Sequence, residues 1–365
     1  MAIKNERLTP WVATHPGEII KDELDERGIS QKAFAEMLGL QKSYICELLK
    51  GKRPMTMNVA EKIESALGVS AVVLVNMQTQ YDYDIKAIEQ RGIEEQKAAN
   101  ELKLYNEILD VATMIKRIGV RAITAVQKLA LLKTQALLPP PAELQLKASG
   151  MFRKSAKTGQ DPRMLMTWKL IAEVEARKCK VDNNFCIGKK YEMVRELVAT
   201  LHHNINVEAN VKSILSANGI AFCIVEKVDK ASVDGYSFIE NGVPHIVLTK
   251  RYDRIDNFAF DLMHEVGHVL CHYIDGENTY NAINIPNYDH ESKEEREANT
   301  FAANALIPSD VWNKAPKSKV NIYNIQRTYT EWAKENNLNK WIVLGRIAYE
   351  TGMYKFVNDS SRKIG

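Results

Sequence analysis

Over its first 80 residues the chain repeats apolar positions at helical spacing, broken by short turns. Ser30 is placed to cap "QKAFAEML", its hydroxyl accepting a bond from a free backbone N–H, and Gly39 ends that helix. "KSYICELLK" then forms a second helix closed by Gly51. Ala35, Leu38, Ile45 and Leu48 are spaced to pack the inner faces of this pair, which leaves Gln41, Lys42, Ser43, Tyr44 and Glu47 outward. Residues from about 85 to 138 continue as a charged helical stretch, stopped by the prolines of "LPPPAE". The segment from about 143 to 205 is again helical and leans basic, with "MFRKSAKTGQDPR" as a loop and "MLMTWKLIAEVEARK" as a helix.

From about residue 207 the pattern changes. "NVKSILSANG" is a helix closed by Gly219, and "IAFCIVEKV" is an apolar, partly β-branched run that reads as a buried strand. "GYSFIENGVPHIVLTK" reads as two strands turned at Asn241-Gly242. That hairpin is expected either to offer an edge to an extended peptide or simply to form the sheet. A helix from about Asp256 to His272 follows, then a polar loop, then the helix "KEEREANTFAANALI", stopped by Pro308. The expected architecture is α+β. It comprises an all-α helix-turn-helix bundle over 1–80, a helical middle or linker region over 85–205, and a C-terminal domain over 206–357 with a small sheet and a histidine-bearing helix.

Composition narrows the function classes. The 365 residues carry a net charge of only +3, so there is no global electrostatic commitment to nucleic acid. No apolar run approaches the roughly 18 residues of a membrane span, and the polar start "MAIKNERLTPW" is not a secretory signal. The 5 cysteines are odd in number and include no C-x-x-C pair, which argues against a disulfide framework or a structural zinc finger. A cytoplasmic protein without membrane partners is expected.

Two short helices about a glycine-bearing turn match the helix-turn-helix plan, whose second helix enters the major groove. Gln31, Gln41, Lys42, Ser43, Tyr44 and Glu47 are the candidate DNA-facing residues, with Lys50, Lys52 and Arg53 placed to meet phosphates. A helical bundle unrelated to nucleic acid is the competing reading, since residues 1–80 hold ten basic and ten acidic side chains. The stretch "HPGEIIKDELDERGISQKAFAEMLGLQKSYICELLKGKRPMTMNVAEKIESALGVS" resembles the HigA-type antidote subgroup of the XRE helix-turn-helix family. That resemblance implies operator binding, usually as a homodimer, often for autoregulation beside a cognate toxin. The chain departs from the family where an aromatic pair often follows the last helix; here the sequence reads "AVVLVNMQTQYDYD".

The stretch "FDLMHEVGHVLCHYIDG" carries the chemistry. His264 and His268, four residues apart, stand about 40° apart on one helix face and can reach one ion. Glu265 points about 100° away from His264, free to act on water as a general base. This is the H-E-x-x-H arrangement of zinc peptidases; histidines merely satisfied by hydrogen bonds on a buried helix are the alternative. A catalytic zinc needs a third protein ligand and an open position. His272 drifts about 80° from His264 around a straight helix, too far to close a tetrahedral site. His290 lies in the polar loop, and Glu294, Glu295 and Glu297 lie within one turn of the next helix. The apolar stripe Ala298, Phe301, Ala302 and Leu306 favours Glu294 or Glu295 over Glu297, and Asn299 shares a face with Glu295. Tyr236, Tyr252, His272 and Tyr273 are all candidates for stabilising an oxyanion.

"HEVGH" followed by "EREANTFAANALIP", with "VDGYSFIENGVPHIVLTKRYDRIDNFAFDLMHE" upstream, resembles the ImmA/IrrE family of metallopeptidases over roughly residues 205–310. The resemblance implies a thermolysin-like (zincin) half-domain. It implies His264, His268 and Glu295 as metal ligands, Asn299 as helical companion, Glu265 as base, and zinc, or else manganese, as the ion. The family is associated with cleaving helix-turn-helix repressors. The expected function is therefore a DNA-binding regulator with a zinc metallo-endopeptidase domain. It would cleave a repressor or antitoxin, itself included, to control a phage, toxin-antitoxin or stress operon. The alternatives are a non-cleaving antitoxin-type repressor whose peptidase-like domain senses or binds a partner, and an interaction scaffold.

Overall fold

A computed structural model describes residues 9–119, 121–148, 160–272, 281–284, 292–316 and 321–365. The chain divides into two compact units, Met1–Asn100 with Thr124–Val126, and Glu101–Ile123 with Gln127–Gly365.

The first unit is all helical: α1 (Pro16–Glu26), α2 (Gln31–Leu38), α3 (Lys42–Leu49), α4 (Met57–Leu67) and the start of α5 (Ala71–Ile108). The "HPGE" stretch begins α1 with a reciprocal cap. His15 Nδ1 accepts from the Gly17 N–H at 2.9 Å, and Glu18 Oε1 accepts from the His15 N–H at 3.2 Å. Gly17 has a second purpose, because a Cβ there would stand 2.2 Å from the Leu48 carbonyl oxygen of α3. Ser30 Oγ accepts from the Ala33 N–H at 3.2 Å, and Gly39 turns the chain at φ +64°. Phe34, Ala35, Leu38, Ile45 and Leu48 are buried together with Ile20, Leu24 and Ile63.

No break occurs near residues 80–85; α5 runs through them, and the unit boundary falls later, at Asn100. Ala71 and Leu74 belong to the first unit's core, Tyr105 and Ile108 to the second's. Between these ends, hydrogen bonds one turn apart join Gln78 to Asp82, Gln80 to Asp84, Gln90 to Glu94 and Gln96 to Asn100. Such pairs support a helix that has little apolar face to bury.

The remaining elements are α6 (Val111–Ile118), α7 (Ala125–Thr134), α8 (141–148), α9 (Pro162–Ala176), α10 (Lys190–His203), α11 (Val207–Ala217), β1 (Ala221–Val225), β2 (Gly235–Glu240), β3 (Val243–Thr249), α12 (Ile255–His272), β4 (Asn281–Asn284), α13 (Lys293–Leu306), α14 (Ser309–Trp312), α15 (Ile325–Glu335) and α16 (Lys340–Thr351). Among the described residues no helix is long and apolar enough to cross a membrane.

The sheet order is β1-β3-β2-β4, with β1 parallel to β3 and the other pairs antiparallel. Asn241 at φ +53° and Gly242 at φ +78° make the tight β2–β3 turn. The hairpin supplies no free edge, because β2 lies between β3 and β4 while β3 lies between β1 and β2. The edge next to β2 is taken by β4, contributed from beyond α12.

Side chains alternate across the sheet. Phe222, Ile246 and Leu248 join a core with α10, α11, α12, α15 and α16. Cys223, Tyr236, Phe238 and Val247 face a second core built from Leu144 and Ala148 of α8 and Trp168 and Ile171 of α9. The helices between 101 and 205 therefore do not stand apart as a linker: α8 and α9 pack on one face of the sheet, and α10 joins the core on the other. The start of α12 is tied down by Asp256, whose carboxylate accepts from Arg254 Nη2 at 2.6 Å and Arg362 Nη2 at 2.7 Å.

Two glycine substitutions test this packing in opposite directions. Gly17→Ala forces a methyl group into the α3 backbone and is expected to destabilise the first unit by about 1–3 kcal/mol. Gly92→Ala, where an added Cβ meets nothing within 4 Å, is expected to stabilise α5 by about 0.5–1 kcal/mol. Thermal unfolding followed by circular dichroism reads both.

Candidate metal centre

His264, Glu265 and His268 lie in the buried middle of α12, where the helix crosses beneath the sheet and packs along α13. The crossing is close because residue 267 has no side chain. A Cβ there would meet Phe301 Cδ1 at 3.0 Å and Ala298 Cα at 3.2 Å. Ser292 Oγ caps α13 by accepting from the Glu295 N–H at 3.3 Å, which fixes the first turn on which Glu295 sits.

Three donor atoms converge at this crossing. His264 Nε2 and His268 Nε2 are 3.0 Å apart, and Glu295 Oε2 lies 3.2 Å from the first and 3.5 Å from the second. Donors bound at about 2.0–2.1 Å to a tetrahedral ion stand roughly 3.3 Å from one another. The set therefore fits a small tetrahedral cation in spacing and in chemistry. Two imidazole nitrogens facing each other at this distance need a proton or a cation between them. Among the described residues, His264, His268 and Glu295 form the group of histidine, cysteine or carboxylate side chains able to share an ion. The Glu295 side chain is still 21% exposed, which leaves the centre open to solvent on that side.

The other candidates take different places. His272 lies behind His268, its Nδ1 at 3.3 Å from His268 Nδ1 and its Nε2 at 3.0 Å from Glu297 Oε2. Glu297 also pairs with Lys293 at 3.6 Å, and Glu294 is exposed. Asn299 Oδ1 lies 2.8 Å from His264 Nδ1, so α13 provides both a donor to the centre and a support for one of its histidines. His290 and Tyr273 lie outside the described residues. Tyr236 donates its hydroxyl to Glu173 of α9 at 3.0 Å on the far face of the sheet, away from the centre. Tyr252 is half exposed and stacks with Arg251 and Arg254.

Glu265 is fully buried, and among the described residues neither carboxylate oxygen has a hydrogen-bond partner. Burial pushes its pKa up to about 7, with the charges of Glu295 and Asp234 adding and that of His264 opposing. Ser237 Oγ is near enough to favour the charged form, although no aligned hydrogen bond joins the two. Space for the carboxylate comes from Gly235 of β2, where a Cβ would stand 2.3 Å from Glu265 Oε1. Burial also works against charge on His264, but the contact with Glu295 and the charge of Glu265 prevail and raise its pKa. At His268 burial prevails and lowers it. Burial opposes ionisation of Glu295 as well, yet the two histidines hold its carboxyl well below the usual range.

A cleft of about 320 Å³ opens beside the centre. Phe260, Asp261 and Asn299 line it nearest the histidines, and Ile342, Tyr349 and Tyr354 lie farther out. The Phe260 ring centroid is 6.2 Å from that of His264.

Gly235, Gly267 and Ser292 were not singled out from the sequence. A glycine inside a helix costs about 1 kcal/mol against alanine, so Gly267 within "HEVGH" was itself a signal of close packing. Nothing local marked Gly235.

In the first unit, Gln41, Lys42, Ser43, Lys50, Lys52 and Arg53 are exposed, and Gln31, Tyr44 and Glu47 are partly so. Arg53 is already engaged: its guanidinium stacks 4.9 Å from the Tyr44 ring and pairs with Glu47. These contacts form a clasp on the outward face of α3.

The partnerless carboxylate has a measurable cost. A carboxyl whose folded pKa exceeds its unfolded value of 4.5 destabilises the fold as pH rises from 4.5 to about 7, and fully above that. The metal-free Glu265→Met variant is therefore expected to match the parent in stability at pH near 4 and to exceed it by on the order of 3 kcal/mol at pH 8. Denaturant unfolding at the two pH values checks this.

Comparison with known proteins places both units. Residues 20–74 match the family model described as helix-turn-helix, and residues 221–338 match that of the IrrE N-terminal-like domain, peptidase M78. Virulence-associated protein I of Dichelobacter nodosus is 38% identical over 82 residues, which cover 22% of this chain and 76% of that protein. The HTH-type transcriptional regulator YddM of Escherichia coli (strain K12) is 35% identical over 69 residues, covering 18% of this chain and 73% of that protein. A solved structure from Nostoc punctiforme, described as an antidote protein of a plasmid maintenance system, is 33% identical with a TM-score of 0.23 and covers 23% of this chain and 93% of its own. Residues 20–74 are thus a helix-turn-helix domain, fused to a peptidase-family domain of the IrrE N-terminal-like family over residues 221–338.

Proposed function

We propose that this protein is a DNA-binding regulator whose second unit is a zinc-dependent endopeptidase, acting on a helix-turn-helix repressor or antitoxin. The observation that carries the reading is the convergence of His264, His268 and Glu295 beside the buried, partnerless carboxylate of Glu265, within a peptidase-family domain. A fold that used the histidines only for packing has no need of an unsolvated carboxylate that lowers its stability.

The two Nε2 atoms and Glu295 would hold zinc, which would supply Lewis acidity toward a peptide carbonyl and toward water. The protein's own groups do the rest. Glu265, held near neutrality by burial, takes the proton of the attacking water and passes it to the departing amine. Gly235 leaves the carboxylate room, and Asn299 holds His264 in place. The cleft beside Phe260 and Asn299 offers room for a substrate side chain. Manganese is the alternative ion, since two imidazoles and a carboxylate do not by themselves choose between the two.

The first unit brings the peptidase to an operator. Its relatives include a protein named as a transcriptional regulator, and the exposed face of α3 with Lys50 and Lys52 suits a major groove and its phosphates. The account includes homodimeric binding to a duplex operator and control of a toxin-antitoxin, phage or stress operon. The substrate is a repressor or antitoxin encoded nearby, or this chain itself.

Two experiments test the two halves. Incubated with zinc and the repressor or antitoxin encoded beside it, the parent protein is expected to cleave that protein. Glu265→Gln is expected to lose at least ~100-fold in rate while retaining zinc, and His264→Ala and Glu295→Ala to lose the ion. Zinc bound by the parent and lost from His264→Ala and Glu295→Ala, with no cleavage by the parent, would instead support a non-cleaving sensor, whereas zinc retained by those two variants would refute the ligand assignment. For DNA, Lys52→Ala is expected to weaken binding to duplexes from the flanking genomic DNA uniformly and to lower the salt slope by about 1. Gln41→Ala is expected to relax sequence choice by about 1–3 kcal/mol. Fluorescence anisotropy at several salt concentrations measures both.

A further inference from the structure

We infer that Glu297 and His272 are positioning residues that fix the proton of His268 on Nδ1 and so keep its Nε2 free to bind metal. This inference rests on the reading of His264, His268 and Glu295 as a metal site. The three histidines are spaced at one-turn intervals along α12, with ring centroids 4.6 Å apart for His264 and His268 and 5.3 Å apart for His268 and His272. Each histidine of the centre turns Nε2 toward the other and Nδ1 toward a supporting group: Asn299 Oδ1 at 2.8 Å for His264, and His272 Nδ1 at 3.3 Å for His268.

The protons in the second chain follow from one end. An ionised carboxylate only accepts hydrogen bonds. Glu297 therefore requires N–H at His272 Nε2, 3.0 Å away. A neutral imidazole carries one N–H, so His272 Nδ1 is then bare and accepts. The nitrogen facing it, His268 Nδ1, must be the donor. That leaves His268 Nε2 bare, so the proton that the two facing Nε2 atoms and Glu295 need when no ion is bound sits on His264 Nε2. The opposite tautomer of His268 would present N–H to the ion and could not bind it. His272, which sequence spacing set aside as a ligand, thus acts one step behind the centre, and an exposed carboxylate sets the state of a buried ring. Metal-binding histidines are commonly oriented in this way by a carboxylate or carbonyl, and loss of such a partner lowers metal affinity about 10–100-fold.

The decisive variant reverses the donor at the exposed end. In Glu297→Lys an ammonium group replaces the acceptor, so His272 Nε2 accepts, His272 Nδ1 donates, and His268 is driven to the Nε2–H form. Glu297→Gln can still accept through its amide oxygen. The Glu297 side chain is 44% exposed, so neither change disturbs the core. Two readouts are taken. Nitrogen-15 spectra of the metal-free protein, recorded about two pH units above the ordinary histidine pKa of ~6.5, identify the His268 tautomer. Competition with a chromophoric chelator gives the zinc affinity. Expected results are an Nδ1–H form in the parent and in Glu297→Gln, an Nε2–H form in Glu297→Lys, and zinc affinity lowered about 10–100-fold in Glu297→Lys and His272→Ala. Recovery of most of that loss in His272→Gln, whose amide oxygen can accept from His268 Nδ1–H, is also expected. An Nε2–H form in the parent, or a tautomer and affinity unchanged by Glu297→Lys, would overturn the inference. A parent that binds no zinc would instead remove the metal-site reading, and the metal-free spectra would still decide how Glu297 and His272 set the proton.

Discussion

The candidate centre depends on the close approach of α12 and α13 at Gly267. The two histidines come from one helix and the carboxylate from another, so the spacing of the three donors is set by how near the helices pack. With no side chain at 267, the α12 backbone approaches Ala298 and Phe301 of α13 to van der Waals contact. That separation lets Glu295 Oε2 reach both imidazoles. It also brings Asn299 to His264 and Glu297 to His272. One helix, α13, therefore supplies the third donor, the support of His264 and, through His272, that of His268.

The same crossing explains why the centre is charged and yet inside. Among the described residues Glu265 has no hydrogen-bond partner; burial raises its pKa, with the charges of Glu295 and Asp234 adding, and burial likewise raises that of Asp261, with the charges of Asp234 and Glu265 adding. Arg251 pairs with Asp234 at 2.7 Å and offsets part of that charge. A dication among these carboxylates would offset more of it. The fold bears the cost through packing on both faces of the sheet, by α9 on one side and by α10, α12, α15 and α16 on the other.

Much of this was legible in the chain. Capping residues, glycine stops and the Asn241-Gly242 turn are local signals, and they located α2, α3, α12, α13 and the hairpin. The i, i+4 spacing of His264 and His268 put two donors on one face without any knowledge of the fold. The third donor was harder. Periodicity ranked Glu294 and Glu295 almost equally, because both lie within one turn of Ala298; only the cap by Ser292 and the depth of the crossing select Glu295. Its drift around the helix already set His272 aside as a ligand, but spacing along a helix says nothing of its place behind His268. Non-local features left no trace: that β4 would come back beside β2, that Gly235 would face Glu265, and that α9 would lie on the far face of the sheet with Tyr236 bonded to Glu173. Composition suggested a separate middle region, whereas α5 crosses its expected start without a break and the helices after it belong to the sheet's cores.

The account stands most directly on the coordination of an ion by this chain. A crystal of the zinc-loaded protein, with the ion located by anomalous scattering, is expected to place it about 2.0–2.2 Å from His264 Nε2, His268 Nε2 and a Glu295 oxygen. Glu265 should lie off the ion and His272 behind His268. An ion held by His272 in place of Glu295, or bound directly by Glu265, would contradict the account.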